Sequence, residues 1–465
     1  MDLNQYTHVH CVGIGGIGLS AIAEILLSRG YRVSGSDIKT SEVTDHLASL
    51  GAEIFAQHDE QNLGDTDLLI YSQAVAMDNP ELVAARERGI RIMTRAEALG
   101  IVMNDYAMSV AVSGTHGKTT TTSMISLILE RAAMSPTILI GGILSELKGN
   151  VKVGTSEYFV TEACEYMDSF LWLKPRIEVI LNIDSDHLDY FRDIEHIADS
   201  FHSFAALVPA DGTVVAYDAN PFVKAAIRDL PCKIVRFGFN ENSDFCARNI
   251  RFNSSGCPAY DLYHDGAFLD TIQLAVPGEH NVANSLAAIA ACSELGVDLA
   301  VSRETLKTFN GTQRRFDVQG TTDRGVQVVD DYAHHPTEIR ATLSASKHVP
   351  HEKLWCLFQP HTYTRTRALF DEFAQALSGA DVVILAEIYA AREKNIYKLS
   401  SASLAERIRE LHPGKEVLFI PAFEDIAGYV VRHAGEGDLV ITMGAGDIYR
   451  VGDMILNEQN SASNS

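Results

Sequence analysis

The chain has 465 residues, of which 46% are apolar and 21% are charged, a composition typical of a soluble globular protein with about two to four domains. Its formal net charge of -23 argues against general binding of nucleic acid, which requires a basic surface. No apolar run reaches the roughly 18 residues of a membrane-spanning helix, so membrane insertion is not expected.

The first hundred residues alternate between strands and helices. THVHCV (7–12) is a predicted strand, and Leu19, Ile22, Ala23 and Leu26 lie on one face of the helix that follows. The alternation continues to about residue 105 through YRVSGSD (31–37), DLLIYS (67–72) and RIMTRAEAL (91–99). The pattern predicts an α/β domain, residues 1–107, with an open and mostly parallel Rossmann-like sheet.

A glycine-rich turn, GIGGIG, connects the first strand to the first helix. In the G-x-G-x-x-G pattern the glycines allow a tight turn, an approach of backbone to a diphosphate and close helix–strand packing. An acidic residue at the end of the next strand is placed to bind a ribose. A tight turn without a ligand is the alternative, but we expect a diphosphate site formed by Gly13, Gly15, Gly16, Gly18 and Asp37.

A second segment, residues 108–313, starts with the strand MSVAV (108–112), followed by GTHGKTT (114–120) and the helix MISLILERA (124–132). We call residues 114–120 the phosphate loop. Its amides are expected to surround phosphates, its lysine to reach the β/γ oxygens, and a threonine hydroxyl to bind Mg²⁺. Val112 replaces the first glycine of the general consensus, so this is a variant loop. We predict that it binds ATP in a central domain with a mostly parallel sheet.

Acidic residues and one histidine follow two further predicted strands of this segment. Glu162 and Glu165 lie in TEACEYMDSFL, and His187 lies in NIDSDHLDYF. Carboxylate oxygens suit Mg²⁺, so a glutamate and the histidine are candidates for a second Mg²⁺ site. Asp184 or Asp186 could equally take such a role, and a single histidine is often structural.

A predicted helix, GEHNVANSLAAIAACSELG (278–296), closes the second segment. Its first turn carries His280, Asn281 and Asn284, which are placed either to cap the helix or to contact a nucleotide base.

The third segment, residues 314–465, again alternates apolar strands with polar loops, which predicts a second Rossmann-like domain. Its polar residues are open to two interpretations. Arg314 and Arg315 either hold phosphates or are surface charges, and Asp330 and Asp331 either cap a helix or contact a ribose. His361 and Arg365 could pair with a carboxylate.

The cysteines and the C-terminus complete the description of the chain. Seven cysteines form no C-x-x-C pair, which predicts free thiols in a reducing compartment, so we expect a cytoplasmic protein. The polar segment NEQNSASNS (457–465) is expected to be disordered.

In their order along the chain these motifs resemble the Mur ligases, ATP-dependent enzymes that form amide bonds in peptidoglycan synthesis. The resemblance runs from VGIGGIG through GTHGKTTTT, ACEYMDSFL, NIDSDHLDYF, GEHNVANSLAA, QRRFDVQG and DDYAHHPTEI to GAGDIYRVG. It implies that the glycine-rich loop binds the diphosphate of a UDP-sugar, that the phosphate loop binds ATP, and that the third domain binds the amino acid and closes.

The resemblance also implies roles for individual residues. The ATP-binding residues would be Gly114, Thr115, His116, Gly117, Lys118, Thr119, Thr120, His280, Asn281, Asn284, Arg315 and Asp331. Two Mg²⁺ sites are expected, with Thr119, Glu165 and His187 as ligands. The amino-acid side would consist of Tyr332, His335, His361 and Arg365, and the residues expected to carry the reaction are Lys118, Glu165, His187 and Arg365.

Within the family, FQPHTYTRT and EIYAAREK are most similar to the branch that joins L-alanine to UDP-N-acetylmuramate through an acyl phosphate. Thr362 departs from the arginine expected at that position in many relatives. The alternatives are a recycling ligase that adds a tripeptide, an NAD-dependent dehydrogenase and a non-catalytic nucleotide-binding regulator. The sequence leaves open whether the protein is a monomer or a dimer.

Overall fold

The computed structural model describes residues 3–147 and 149–462. As far as they are described, these residues form two compact units. The first consists of Met1–Ile183, Ala198–Phe237 and Ala287–Ser302, and the second of Asp184–Ile197, Gly238–Leu286 and Arg303–Ser465. The units differ from the three predicted segments, whose boundaries therefore stay predictions. Residue 108 begins a strand, and residue 314 lies in a connection between a helix and a strand.

The first unit begins with a five-stranded parallel sheet in the order β3-β2-β1-β4-β5. Its strands are β1 (His8–Val12), β2 (Arg32–Ser36), β3 (Glu53–Phe55), β4 (Leu68–Tyr71) and β5 (Arg91–Thr94). Its helices are α1 (Ile17–Ser28), α2 (Glu42–Ser49), α3 (Pro80–Glu87) and α4 (Arg95–Met103), with short 3-10 helices at Leu3–Gln5 and Glu60–Leu63. The predicted apolar face of α1 is buried, as its helical spacing requires.

A second sheet of the first unit has the order β12-β11-β10-β6-β9-β7-β8, in which β8 runs antiparallel to β7. Its strands are β6 (Met108–Ser113), β7 (Thr137–Leu144), β8 (Gly149–Lys152), β9 (Tyr158–Glu162), β10 (Ile177–Ile180), β11 (Thr213–Tyr217) and β12 (Lys233–Gly238). The accompanying helices are α5 (Lys118–Arg131), α6 (Ile194–Ala205) and α7 (Pro221–Ala226), with 3-10 helices at Ser145–Leu147 and Tyr166–Trp172. The central strands β10, β6 and β9 are parallel neighbours, so their carboxyl ends lie at one edge.

The second unit contains an antiparallel three-stranded element with the strands β13 (Phe245–Phe252), β14 (Pro258–His264) and β15 (Ala267–Gln273). Two helices follow along the chain, α8 (His280–Glu294) and α9 (Leu299–Leu306). Gly296 adopts φ +78° two residues after the end of α8, which agrees with the glycine stop predicted there.

The remainder of the second unit is a six-stranded sheet in the order β16-β17-β21-β18-β19-β20, parallel except for β16. Its strands are β16 (Asp317–Thr321), β17 (Gln327–Asp331), β18 (Leu354–Phe358), β19 (Val382–Leu385), β20 (Glu416–Phe419) and β21 (Leu439–Met443). Its helices are α10 (Pro336–Ser346), α11 (Tyr363–Ala368), α12 (Phe370–Leu377), α13 (Ser401–Leu411), α14 (Phe423–His433) and α15 (Tyr449–Ala462).

Successive residues of these strands enter two different cores. On β18, Cys356 and Phe358 belong to one apolar cluster, whereas Trp355 and Leu357 belong to the other. Side chains of a strand alternate between its faces, so a strand that is apolar on both faces must be covered by helices on both sides. The α/β fold with mostly parallel sheets, predicted from the sequence, is confirmed.

The C-terminal segment differs from its prediction. The structure continues α15 to Ala462, so the predicted disorder is wrong for residues 457–462, whereas residues 463–465 lie outside the described residues. A helix propagates easily once its first turns are packed, and Val451 and Ile455 of α15 are buried. The described residues contain no helix that is both long and apolar enough to cross a membrane.

Candidate active site

The phosphate loop lies in the first unit, between β6 and α5. Gly114 adopts φ +133° and Gly117 adopts φ +87°, conformations that favour glycine. A Cβ atom added to Gly114 would lie 3.0 Å from Cβ of Leu181 and 3.2 Å from the amide of Asn182, both on the segment after β10. The two glycines therefore allow the loop to turn tightly against the neighbouring strand end and to start α5 directly.

The side chain of Asn182 fixes the middle of the loop. It accepts a hydrogen bond from the amide of His116 (2.8 Å) and donates one to the carbonyl of the same residue (3.0 Å). The backbone carbonyl of Asn182 accepts a third bond, from the amide of Thr115 (3.1 Å). Asn182 begins the motif NIDSDHLDYF but was not among the predicted site residues, although its position directly after an apolar strand was the available signal.

Lys118 is held inside the loop. Its ammonium group donates hydrogen bonds to the carbonyls of Gly114 and Thr115 and forms an ion pair of 2.9 Å with Glu165, which is 2% exposed. Burial by itself lowers the pKa of Lys118, but the neighbouring carboxylate outweighs it and the pKa is raised. The lysine is therefore a fixed positive charge at the loop, as a phosphate-binding residue must be.

The other predicted site residues near the phosphate loop differ in their positions and contacts. Thr119 and Thr120 lie in the buried first turn of α5. Glu162, the alternative acidic residue, accepts a hydrogen bond from the amide of Gly141 (2.6 Å) on β7. Of the two glutamates, Glu165 is therefore the one paired with the loop lysine.

The glycine-rich loop has the predicted turn, and its acidic residue contacts the loop backbone. Gly13 adopts φ +82°, and Gly16 precedes α1 as its N-cap. Asp37 accepts a hydrogen bond from the amide of Gly15 (2.9 Å), so one backbone N–H of the loop is bonded to this carboxylate. A Cβ atom at Gly18 would lie 3.0 Å from the Arg95 side chain, so this glycine makes room for an arginine.

A closer approach occurs at Gly35 of β2, which packs against β1 and the glycine-rich turn. A Cβ atom there would lie 2.6 Å from the carbonyl of Cys11 and 2.5 Å from the Ile14 side chain. Gly35 lies outside the G-x-G-x-x-G spacing, so the pattern does not predict its role.

In the second unit, the segment 184–187 is tied to α11 by an arginine fork. Arg365 donates to Asp186 through Nε (3.0 Å) and Nη2 (3.4 Å). Burial raises the pKa of Asp186, but Arg365 and the nearby histidines outweigh it and hold this pKa well below its usual range. The predicted pairing of Arg365 with a carboxylate is therefore made with the protein itself.

His335 ties the same segment to α10. Its Nδ1 accepts a hydrogen bond from the amide of Thr337 (3.2 Å) as the N-cap of α10, so Nε2 carries the proton and donates to the carbonyl of Ser185 (3.0 Å). The hydroxyl of Thr337 donates to Asp184 (2.7 Å). His187, the predicted metal ligand, follows with φ +54° and lies in the second unit, whereas Glu165 lies in the first.

Aromatic and imidazole rings form a row beside Arg365. The rings of Tyr332 and His334 are 5.4 Å apart, and those of His334 and His361 are 6.1 Å apart. His361 stacks on Tyr389 at 5.4 Å and lies 3.3 Å, through Nδ1, from Nη1 of Arg365. Burial and the arginine charge lower the pKa of His361 to about 4, so this ring is neutral at pH 7.

The paired arginines 314 and 315 have different surroundings. Arg314 donates to Asp330 (2.9 Å) and to the carbonyl of Gly444 (2.7 Å), which makes it a structural link rather than a surface charge. Arg315 lies over the Tyr332 ring at 5.1 Å, with a long 3.8 Å approach to Glu338. Arg315 is therefore the more available of the two for a phosphate.

Asp331 accepts hydrogen bonds from the amides of Phe316 (2.9 Å) and Ala333 (2.7 Å). Burial raises its pKa to about 6, although Arg315 and these amides favour the carboxylate.

At the start of α8, the Asn281 side chain donates to the carbonyl of Pro277 (2.7 Å) and accepts from Asn284 (2.9 Å). His280 is exposed beside them. These contacts join the first turn of α8 to the segment before it, and a contact of the three residues with a base stays a prediction.

Three family models match the chain: "Mur ligase family, catalytic domain" over residues 8–107, "Mur ligase middle domain" over 112–292 and "Mur ligase, glutamate ligase domain" over 314–446. UDP-N-acetylmuramate–L-alanine ligases of Alkaliphilus metalliredigens and Acetivibrio thermocellus are each 49% identical, over 99% of this chain and 99% and 97% of theirs.

Among solved structures, the UDP-N-acetylmuramate–alanine ligase of Thermotoga maritima superimposes with a TM-score of 0.83 at 31% identity, over 98% of this chain and 100% of that one. A murein peptide ligase of Psychrobacter arcticus follows with a TM-score of 0.73 at 25% identity, over 97% and 98%. Because three family models match successive parts of the chain and full-length relatives are nearly half identical, the chain belongs to the Mur ligase family.

Proposed function

We propose that this protein joins L-alanine to the carboxylate of UDP-N-acetylmuramate, with conversion of ATP to ADP and phosphate. The observation that carries the proposal is the ion pair between Lys118 of the phosphate loop and the buried Glu165, in a chain about half identical to ligases of that name. A non-catalytic regulator would not need to keep this pair.

The phosphate loop fits the triphosphate of ATP. Gly114 and Gly117 have backbone conformations that a side chain would strain, and the amides that follow lie at the start of α5, where the helix dipole favours anions. Lys118 supplies the positive charge. Its present partners are carbonyls and one carboxylate, which a phosphate oxygen can replace as the ligand of the ammonium group.

The oxygen atoms beside the loop fit Mg²⁺. The hydroxyl of Thr119 and the carboxylate of Glu165 are hard ligands of the type that this ion prefers, and the resemblance adds His187. When bound, Mg²⁺ neutralises charge on the transferred phosphoryl group. We propose that the protein binds two Mg²⁺ ions.

The chemistry requires activation of a carboxylate, which is a poor electrophile. The muramate carboxylate oxygen bonds to the γ-phosphorus of ATP, the bond to ADP breaks, and an acyl phosphate forms. The amine of alanine then attacks the acyl carbon, a C–N bond forms, the C–O bond to phosphate breaks, and the amine proton is released. Lys118 and the loop amides stabilise charge in the first step, because phosphoryl transfer depends on positioning and electrostatics.

We assign the amino-acid side to the row of residues around Arg365 in the second unit. Arg365 contacts the neutral His361. The ring of Tyr332 contacts that of His334, which lies next to His361. His335 donates a hydrogen bond to the carbonyl of Ser185, the residue before the Asp186 that binds Arg365. The glycine-rich loop with Gly13 and Gly15 is assigned to the UDP diphosphate. The alternative of a dehydrogenase would leave the phosphate loop without a function.

The first experiment is phosphate release from ATP and Mg²⁺ in the presence of UDP-N-acetylmuramate, with L-alanine, with the recycled tripeptide or without an amine. The proposal expects release that needs both the UDP-sugar and L-alanine. Release with the tripeptide alone would move the protein to the recycling branch. No release with any amine would contradict a ligase.

The same assay tests the phosphate loop. Lys118→Ala is expected to lower turnover by at least about 100-fold, because it removes a preorganised charge from the transferred phosphoryl group. Lys152→Ala is the matched control, since Lys152 forms an ion pair with Glu130 in the same sheet region but lies outside the loop. Equal losses in both variants would contradict the assigned role of Lys118.

A further inference from the structure

The motif EIYAAREK, residues 387–394, lies between β19 and α13 and has no task in the reaction described above. Its backbone runs beside the segment that leads into α11. The amide of Tyr389 donates to the carbonyl of Pro360 (2.9 Å), and the carbonyl of Tyr389 accepts from the amide of Thr362 (2.8 Å). The Tyr389 ring stacks on His361 with an interplanar angle of 18°. The motif therefore supports both the backbone and the ring next to Arg365.

The helix α11 has little support of its own. It has six residues, and its N-cap, Thr362, adopts φ +64° and ψ 146° and makes no side-chain capping bond. Isolated helices of this length are unstable in water, and the first amides of a helix need external acceptors. Such a helix stays in place only if contacts from elsewhere hold it.

Glu393 provides the missing acceptor. Its Oε2 accepts a hydrogen bond from the amide of Thr364 (2.9 Å), and its Oε1 accepts one from the hydroxyl of the same residue. A negative charge at the first turn of a helix is favourable for the helix dipole. The amide of Glu393 in turn donates to the carbonyl of Ala390 (2.9 Å), which closes a turn in the motif.

Arg365 is the residue after Thr364, so the cap is one residue from the arginine that binds Asp186 and three residues from His361, which contacts the same arginine. We propose that Glu393 is a positioning residue, which caps α11 from outside and thereby holds Arg365 and His361 where the amino-acid substrate binds. This inference rests on the proposed function and explains why EIYAAREK accompanies FQPHTYTRT in one chain.

The test measures KM for L-alanine, ATP and UDP-N-acetylmuramate separately by phosphate release. Glu393→Ala is expected to raise KM for L-alanine about tenfold, the effect of losing charge-assisted hydrogen bonds, and to change the other two KM values less than about twofold. Glu393→Gln keeps the size and one acceptor oxygen and is expected to restore KM to within about threefold of the wild type. Lys394→Ala, an exposed neighbour in the same motif, is the control and should leave all three values unchanged.

Two results would overturn the inference: an unchanged KM for L-alanine in Glu393→Ala, or an equal rise of all three KM values, which indicates a loosened fold. If Glu393→Ala does not fold, Thr364→Val serves instead, because it removes only the hydroxyl donor and should raise KM for L-alanine about threefold. An unchanged KM in that variant likewise contradicts the inference. A wild type without alanine-dependent release would contradict the proposed function itself, so the two failures are distinguishable.

Discussion

Asn182 shows how a single side chain can set the shape of the phosphate loop. Its amide group satisfies both the N–H and the C=O of His116, and these two backbone groups have opposite polarity. A carboxamide is the side chain that offers a donor and an acceptor side by side. The loop is therefore held in place before a nucleotide binds, which reduces the entropy that binding must overcome.

We expect Asn182→Ala to raise KM for ATP about tenfold, because it removes the two hydrogen bonds from the side chain to the backbone of His116, at a cost of about 1–3 kcal/mol. Asn182→Asp should behave similarly, since a second carboxylate oxygen would face the carbonyl of His116. The control is Asn79→Ala, which removes the N-cap of α3 and should lower stability without a change in KM. An unchanged KM in Asn182→Ala would contradict the role of the side chain in the loop.

Arg314 and Arg315 show that two adjacent residues of the same type can have different roles. The two residues are adjacent and identical in type, but their contacts differ. Arg314 adopts φ +62°, and its guanidinium lies over the rings of Tyr332 and Tyr449 and pairs with Asp330. Arg315 approaches Glu338 only to 3.8 Å. Sequence left both interpretations open for the pair. The backbone turn between them assigns a structural role to one and leaves the other for a phosphate.

At the scale of elements, the start of α11 is a strained position of the backbone. Thr362 is β-branched and has positive φ, a combination that is costly for a branched side chain. The backbone of Tyr389 and the cap by Glu393 hold the chain in this conformation. Strain of this kind is tolerated where surrounding contacts determine the position of the backbone.

Thr362→Gly is expected to raise the midpoint of urea unfolding by the equivalent of about 1 kcal/mol, because glycine removes the strain at a smaller entropic cost. Thr308→Gly, in an exposed turn without positive φ, is the control and should lower stability by about 0.5–1 kcal/mol. If Thr362→Gly is the less stable variant of the two, the backbone at 362 is not strained.

At the scale of the whole molecule, a buried carboxyl makes stability depend on pH. Glu178 on β10 is fully buried, and its Oε2 has no hydrogen-bond partner among the described residues. The hydroxyl of Ser113 lies 3.0 Å from Oε1 and 3.1 Å from the carbonyl of Val179. The hydroxyl of Ser113 has one proton. When it donates that proton to the carbonyl of Val179, its contact with Glu178 is a hydrogen bond only if the carboxyl group is protonated, and therefore neutral, and donates to the hydroxyl oxygen. Burial accordingly raises the pKa of Glu178 to about 8.

In the unfolded chain Glu178 ionises near its ordinary pKa of about 4.5, whereas the folded protein keeps the proton up to about pH 8. The folded state binds more protons in this window, so the free energy of unfolding contributed by Glu178 falls as pH rises, by up to about 1.4 kcal/mol per pH unit. Glu178→Gln cannot ionise and should become progressively more stable than the wild type between pH 5 and about pH 8.

Urea unfolding at several pH values checks this prediction. Glu87→Gln, at an exposed position of α3, serves as the control and should follow the wild type at every pH. Parallel pH profiles of Glu178→Gln and wild type would show that Glu178 is ionised in the folded protein.

The sequence by itself determined the type and order of the principal elements, the mostly parallel sheets, the phosphate loop and most of the residue types at the site. These depend on periodicity and on glycine positions, which act over a few neighbouring residues. It also indicated that Arg365 would meet a carboxylate. The disorder predicted for residues 457–462 failed because a packed helix propagates into polar sequence.

Only the tertiary structure decided which groups meet. Arg365 takes Asp186 from a segment 179 residues away, Asn182 rather than an aspartate of its motif holds the phosphate loop, and Glu393 caps a helix that has no cap of its own. Residue types state what a side chain can bond to, but many carboxylates in this acidic chain could satisfy any one arginine. The partner is selected by the distances that the packed sheets and loops impose.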